Sequence, residues 1–162
     1  MQFVSSNFNI SKIIWTGDNI DHEVWRQTRN TQTEPTYNIT QEFLRYFPNT
    51  AVYPIFGILL VDYFIQISGN HEAYPSDQYD TVGTDSAWLV EELGEMWSPW
   101  LDDQALSTFR QRSFYSEIDQ ERNLRIISLD TQACDTLNFY LVRDTSSDPL
   151  GQVQLLQFIY FL

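Results

Sequence analysis

Two short apolar runs in this chain each lead into a polar string rich in metal-capable or proton-transferring side chains. Ile13-Ile14-Trp15 runs into Thr16-Gly17-Asp18, with His22 four residues on. Ala51-Val52-Tyr53-Pro54-Ile55-Phe56-Gly57 precedes Gly69-Asn70-His71-Glu72. Short apolar runs closed by glycine read as buried strands. Helical features lie between the two runs, so strand, helix and strand predict a right-handed βαβ unit in an α/β fold. In such a sheet, ligands bind beyond the carboxyl ends of the strands. That edge would hold Asp18 and, if it stays near its strand, Asn70.

The expected strands are Lys12–Thr16 and Ala51–Phe56. Helices are expected over Val24–Arg29 and over Ile39–Tyr46, the latter with Asn38 as N-cap and Pro48 beyond its end. Ser86–Trp97 carries apolar residues at helical spacing, and Asp102 or Asp103 caps a helix running to Phe109. Ser113–Ile118 and Leu124–Leu129 read as a hairpin, and Asn138–Val142 as a further strand. Asp148-Pro149 opens a final helix, and Gln157–Leu162 reads as a buried strand. No repeat or linker divides the chain, so 1–162 is taken as a single partial domain.

The net charge of −13 argues against a nucleic-acid partner and against electrostatic docking on anionic lipid. A locally positive metal site can still attract phosphate inside an acidic protein. No apolar stretch reaches the roughly 20 residues of a transmembrane helix. Met1–Ile10 lacks the basic region and apolar core of a signal peptide. Asn9-Ile10-Ser11 and Asn38-Ile39-Thr40 are glycosylation sequons, with Asn9 and Asn38 as acceptors. The single cysteine, Cys134, has no internal disulfide partner and reads, by itself, as a small buried hydrophobe.

A carboxylate can bridge two divalent cations, one per oxygen, and Asp18 at a glycine turn suits that role. The Asn70 carbonyl offers a further ligand. Two cations about 3.5–4 Å apart can share a hydroxide and clamp a phosphoryl group during in-line displacement. His22 and His71, the only two histidines, both fall inside the strings, and an imidazolium can donate to phosphate or to a leaving oxygen. Glu72 reads as support for the ligands rather than as a ligand. Read alone, Gly17-Asp18 is a turn, Asn70-His71-Glu72 a solvated loop, and the five tryptophans packing. The combined spacing favours the metal-dependent phosphoesterase.

Thr16-Gly17-Asp18 and Asn70-His71-Glu72 resemble the GD and GNHE blocks of calcineurin-like metallophosphoesterases. Trp15-Thr16-Gly17-Asp18, His22 and Trp25 are similar to the WTGD-x-x-x-H-x-x-W pattern of the acid sphingomyelinase branch. The likeness continues through Val52-Tyr53-Pro54, Met96-Trp97-Ser98-Pro99-Trp100-Leu101 and Asp148-Pro149-Leu150-Gly151-Gln152, and spans about Ile13 to Leu156. The resemblance implies a four-layer α/β/β/α sandwich, incomplete at both ends, and a site of two zinc ions. It implies Asp18 and Asn70 as metal ligands and His22 and His71 as catalytic groups facing the phosphate. The implied reaction is hydrolysis of sphingomyelin to ceramide and phosphocholine by a metal-bridging hydroxide. The implied setting is extracellular or lysosomal, with peripheral lipid contact. A secreted nucleotide phosphodiesterase on the same fold and a catalytically dead truncated relative are the alternatives.

The chain departs from the family pattern in three places. No D-x-H block precedes Ile13, and no GH or GHxH block follows. The chain thus reads as a fragment or incomplete gene model, with an incomplete zinc shell and weak metal binding. Ile58–Gly69 (58–69) interrupts what would otherwise read Val-Tyr-Pro-Ile-Phe-Gly-Asn-His-Glu, and is expected to be an insertion, consistent with a retained intron, at the catalytic edge. By the same resemblance, Cys134 is one half of a disulfide whose partner is absent.

Overall fold

The computed structural model describes residues 1–162 except 22, 56, 62, 66–70, 161 and 162; of 57–61, 63–65, 159 and 160 it describes the backbone only. After a short helix α1 (Gln2–Asn7), β1 (Lys12–Trp15) pairs in parallel with β2 (Ala51–Pro54). The register sets Lys12 opposite Ala51 and Trp15 opposite Pro54. The Ile55 N–H extends this ladder to the Trp15 carbonyl at 2.8 Å. The expected strand–helix–strand order is present, with β2 ending at Pro54 rather than Phe56.

The connecting helix α2 (Arg29–Tyr46) begins well before the expected Ile39. Its cap is Thr28, not Asn38: the Thr31 N–H donates to Thr28 Oγ1 at 3.2 Å while the Thr28 N–H donates to Thr31 Oγ1 at 2.9 Å. This reciprocal pair satisfies two otherwise orphaned donors. Pro35 sits inside the helix, where it removes one ladder bond. The Val24–Arg29 expectation shrinks to a 3-10 turn at Val24–Arg26.

A second sheet has the order β4-β3-β6-β5, all antiparallel. The expected hairpin forms it in part, as β5 (Tyr115–Asp119) and β6 (Leu124–Asp130). The other edge comes from β3 (Gly57–Val61) and β4 (Tyr63–Ile65). The described part of 58–69 thus lies in this antiparallel sheet, with Gly57 opposite Asp130. Two polar contacts tie the sheets together. Lys12 Nζ lies 2.6 Å from Asp119 Oδ2, and Tyr115 Oη donates to the Pro54 carbonyl at 2.7 Å.

Helix α3 (Ala87–Trp97) packs against α2 and against α4 (Asp103–Arg112), and α4, capped by Asp102 as expected, packs on β5. Trp15 meets Phe43, Trp97 and Trp100 edge-on, with ring centroids 5.3, 6.3 and 6.5 Å apart. Edge-to-face packing suits ring quadrupoles, so the aromatic excess is spent on this core. Asn138–Val142, expected as a strand, is instead a 3-10 turn at Phe139–Val142. Asn138 decides this. Its Oδ1 accepts from the Tyr79 and Tyr140 N–H groups, and its Nδ2 donates to the Tyr79 and Gln132 carbonyls. The last helix, α5 (Gln152–Tyr160), covers 157–160 of the segment expected as a strand, with 161 and 162 outside the described residues, and Phe158 on it is exposed. Among the described residues no helix is long and apolar enough to cross a membrane.

Candidate active site

Gly17 and Asp18 follow β1 in consecutive left-handed conformations, with φ of 68° and 58°. Glycine takes this region freely and aspartate tolerates it better than most. Gly17 also has no room for a side chain. A Cβ there would meet the Ile55 carbonyl oxygen and Glu72 Oε1, each at 3.1 Å. The turn therefore runs directly over Ile55 and the Glu72 side chain, and Asp18 is left exposed at the end of the parallel pair.

Glu72 is buried and forms the joint between the two strings. Its Oε1 accepts the Asn19 backbone N–H at 3.1 Å and lies 3.4 Å from Asn19 Nδ2. Burial pushes its carboxyl above the ordinary range. The backbone N–H groups of Asn19, Glu72 and Asp18 pull the other way, while the Asp18 charge adds to the rise. Asn19 is itself fixed at both ends of its amide. Trp15 Nε1 donates to its Oδ1 at 3.1 Å, and its Nδ2 donates to Thr36 Oγ1 at 3.1 Å.

His71 is 6% exposed and sits in a loop that α2 holds through Gln32. Gln32 Nε2 donates to the His71 carbonyl at 2.5 Å and to the Ala73 carbonyl at 2.8 Å. A cavity of about 220 Å³ opens alongside, lined by Ile20, Asp21, Glu23, Arg26, Gln27 and Gln32. The structure thus sets the Gly17-Asp18-Asn19 turn against Glu72, more than fifty residues away in sequence, with His71 next to Glu72 in the chain. His22 and Asn70 lie outside the described residues. Among those described, no group of three or more His, Cys, Asp or Glu side chains is placed to hold a metal ion.

The remaining candidates lie elsewhere. Asn9 is exposed between α1 and β1. Asn38 is exposed on α2, but its sequon is helical and Thr40 is buried, donating to the Thr36 carbonyl at 2.9 Å. Cys134 is exposed, correcting the buried reading: the 3-10 turn Thr131–Cys134 turns Gln132 and Ala133 inward instead. Sequence reasoning missed Asn19, Gln27 and Gln32. A polar stripe at Gln32, Thr36 and Thr40, four residues apart on a helix, was the available signal.

Three relatives place the chain. It is 40% identical over 128 residues to a sphingomyelin phosphodiesterase A of Dictyostelium discoideum, covering 79% of this chain and 19% of that protein. To the human sphingomyelin phosphodiesterase it is 34% identical over 148 residues, covering 89% and 21%. The chain is an acid sphingomyelinase-like family member. It spans about a fifth of the length of those sphingomyelin phosphodiesterases. It is also 32% identical over 155 residues to the human cyclic GMP-AMP phosphodiesterase SMPDL3A, covering 94% of this chain and 30% of that protein. No family model matches the chain.

Proposed function

We propose that this acid sphingomyelinase-like chain supplies one wall of the active site of a phosphodiester hydrolase that uses two zinc ions and acts on sphingomyelin. The observation that carries this reading is the joint at Glu72, which sets the Asp18 turn over the His71 loop at the end of a parallel strand pair. The fold proposed is part of the calcineurin-like α/β/β/α sandwich. Residues 1–162 would form one partial domain, with 58–69 an insertion whose described part lies in the antiparallel sheet.

Carboxylate oxygens are among the donors zinc accepts. Asp18 presents an exposed carboxylate, and the buried Glu72 carboxylate has an oxygen, Oε2, without a hydrogen-bond partner among the described residues. Asp18 and Asn70 would hold the metal, and Glu72 would orient the turn. When bound, the cations supply an activated water and neutralise phosphoryl charge. His71 would bind a phosphoryl oxygen, and His22 would give a proton to the departing ceramide alkoxide. Water adds to phosphorus as that P–O bond breaks, giving ceramide and phosphocholine. The protein would work outside the cell or in the lysosome, touching lipid peripherally, with Asn9 the more accessible glycan acceptor and Cys134 a disulfide half.

A nucleotide phosphodiester is the second reading, favoured by the match to the cyclic GMP-AMP phosphodiesterase across 94% of this chain. The test is hydrolysis of sphingomyelin and cyclic GMP-AMP in parallel by protein from a secretory eukaryotic host, with and without a chelator. Chelator-sensitive phosphocholine release is the expected result. Nucleotide cleavage alone selects the second reading, and turnover of neither rejects both.

A further inference from the structure

Gln32 is fully buried on α2, and a buried amide is costly unless its hydrogen bonds are made. Its two N–H donors go to the carbonyls of His71 and Ala73, at 2.5 and 2.8 Å. Those carbonyls flank Glu72, whose carboxylate grips the Asn19 backbone. Gln27, one residue before the Thr28 cap, holds the far end of the same loop. Its Nε2 donates to Ser76 Oγ at 2.5 Å, and its Oε1 accepts the Ser76 N–H at 2.9 Å. The start of one helix therefore fixes both ends of the loop from His71 to Ser76 with side chains that carry no charge.

We infer that Gln32 is the positioning residue of this site: its amide sets the His71 backbone, and with it the imidazole, against the Asp18 turn, and Gln27 supports it. The inference deepens the hydrolase reading and rests on it for the role of His71. The residue type follows from the task. Two carbonyls on alternate residues call for two donors from one planar group, which glutamine supplies. Ionised glutamate would offer only acceptors, and lysine would bring a cation beside a cation site. Asparagine, one methylene shorter, would draw the loop toward α2.

The test uses isotope-labelled protein and reads His71 by NMR, which is practicable because the chain has two histidines. A His71→Asn variant assigns the signal. In Gln32→Met the His71 ring signals are expected to move. The kcat should fall by about 10²-fold, the scale of a small misplacement of a reacting group, with KM nearly unchanged. Gln27→Met, at a half-buried position, should move the same signal less, and serves if Gln32→Met does not fold. In Gln32→Glu, kcat relative to wild type should recover as the pH falls and the carboxyl regains a donor. Thr40→Val removes a buried hydroxyl farther along the same helix. It is expected to lower Tm while leaving the His71 signal and kcat in place. An unmoved His71 signal in both glutamine variants, or an equal kcat loss in Thr40→Val, overturns the inference. Wild-type protein that hydrolyses no phosphodiester defeats the hydrolase reading alone, because the His71 signal still reports what Gln32 does.

Discussion

The loop after the parallel pair and the end of β6 each bury an acid, Glu72 in the first and Asp130 in the second, and the two are housed differently. Glu72 takes backbone N–H groups from the neighbouring turn and feels the charge of exposed Asp18. Asp130 is enclosed by neutral groups. Gln132 N–H donates to its Oδ1 at 2.9 Å, Ser113 Oγ contacts its Oδ2, and Gln152 hydrogen-bonds both its backbone N–H and its carbonyl. Ser113 has one hydrogen, and the Arg112 carbonyl lies 2.6 Å from its Oγ. The Tyr79 hydroxyl also reaches Ser113. Burial pushes the Asp130 carboxyl up to about 8, against the Ser113 hydroxyl and Gln132 N–H that donate to it. The first acid braces the exposed Asp18 turn, the rim of the proposed site, and the second locks the last helix to a strand end. Substitutions at the rim should therefore appear in activity, and substitutions at the lock in stability.

The largest effect is expected at the rim. Asp18→Asn should take phosphodiester hydrolysis to background with no change in Tm, because the side chain is exposed and only its chemistry is altered. Glu72→Gln should cost about 10- to 100-fold in activity or metal affinity, the usual consequence of losing a group that orients a ligand. Full activity in Asp18→Asn would break the comparison by removing its functional side.

At the lock the effect depends on pH. The unfolded Asp130 carboxyl titrates near its ordinary value of about 3.9. Below that pH both states hold the proton and the stabilisation is complete. Between about 4 and 8 the folded state keeps a proton that the unfolded state has lost, so stability falls as pH rises, by up to about 1.4 kcal/mol per unit. Asp130→Asn stays neutral throughout. Urea unfolding should find it close to wild type at pH 4 and more stable than wild type at pH 8. Parallel pH profiles would show that Asp130 ionises normally and that the two acids do not differ in kind.

Gly17→Ala should cost more than the usual left-handed penalty of about 1–2 kcal/mol, since its Cβ also crowds Ile55 and Glu72. Loss of Tm together with loss of activity is the expected signature, because this turn carries both.

How much of this was legible depended on how local the causes were. Lys12–Trp15 and Ala51–Pro54 announced themselves as apolar runs, and the turn that carries Asp18 directly after β1 was readable with them, whereas His71 lies beyond β3 and β4 rather than at the end of β2. The start of α2 was hidden because its capping partner at the third position is Thr31 rather than an acid, and because Pro35, which costs the helix a ladder bond, sits inside it. Phe139–Val142 has a strand's composition, yet Asn138 bends it through partners as distant as Tyr79. The joints that build the candidate site, Asn19 to Glu72 and Gln32 to His71, link residues far apart in sequence. They leave only an unusual run of buried polar side chains on α2 as a trace.

The smallest predicted effect probes the seam between the two regions. Tyr115 is fully buried on β5, and its Oη donates at 2.7 Å to the Pro54 carbonyl at the end of β2. Tyr115→Phe keeps the ring in the core and removes the one hydroxyl, leaving that carbonyl without this donor. The expected cost is about 1–3 kcal/mol of stability, the range for a buried group stripped of its partner. Activity should change little, because Asp18 and His71 are held by Glu72 and Gln32 from the α2 side rather than across the seam. A loss of activity out of proportion to the loss of Tm would mean that the antiparallel sheet takes part in setting the rim, and the division between an active edge and a structural lock would have to be redrawn.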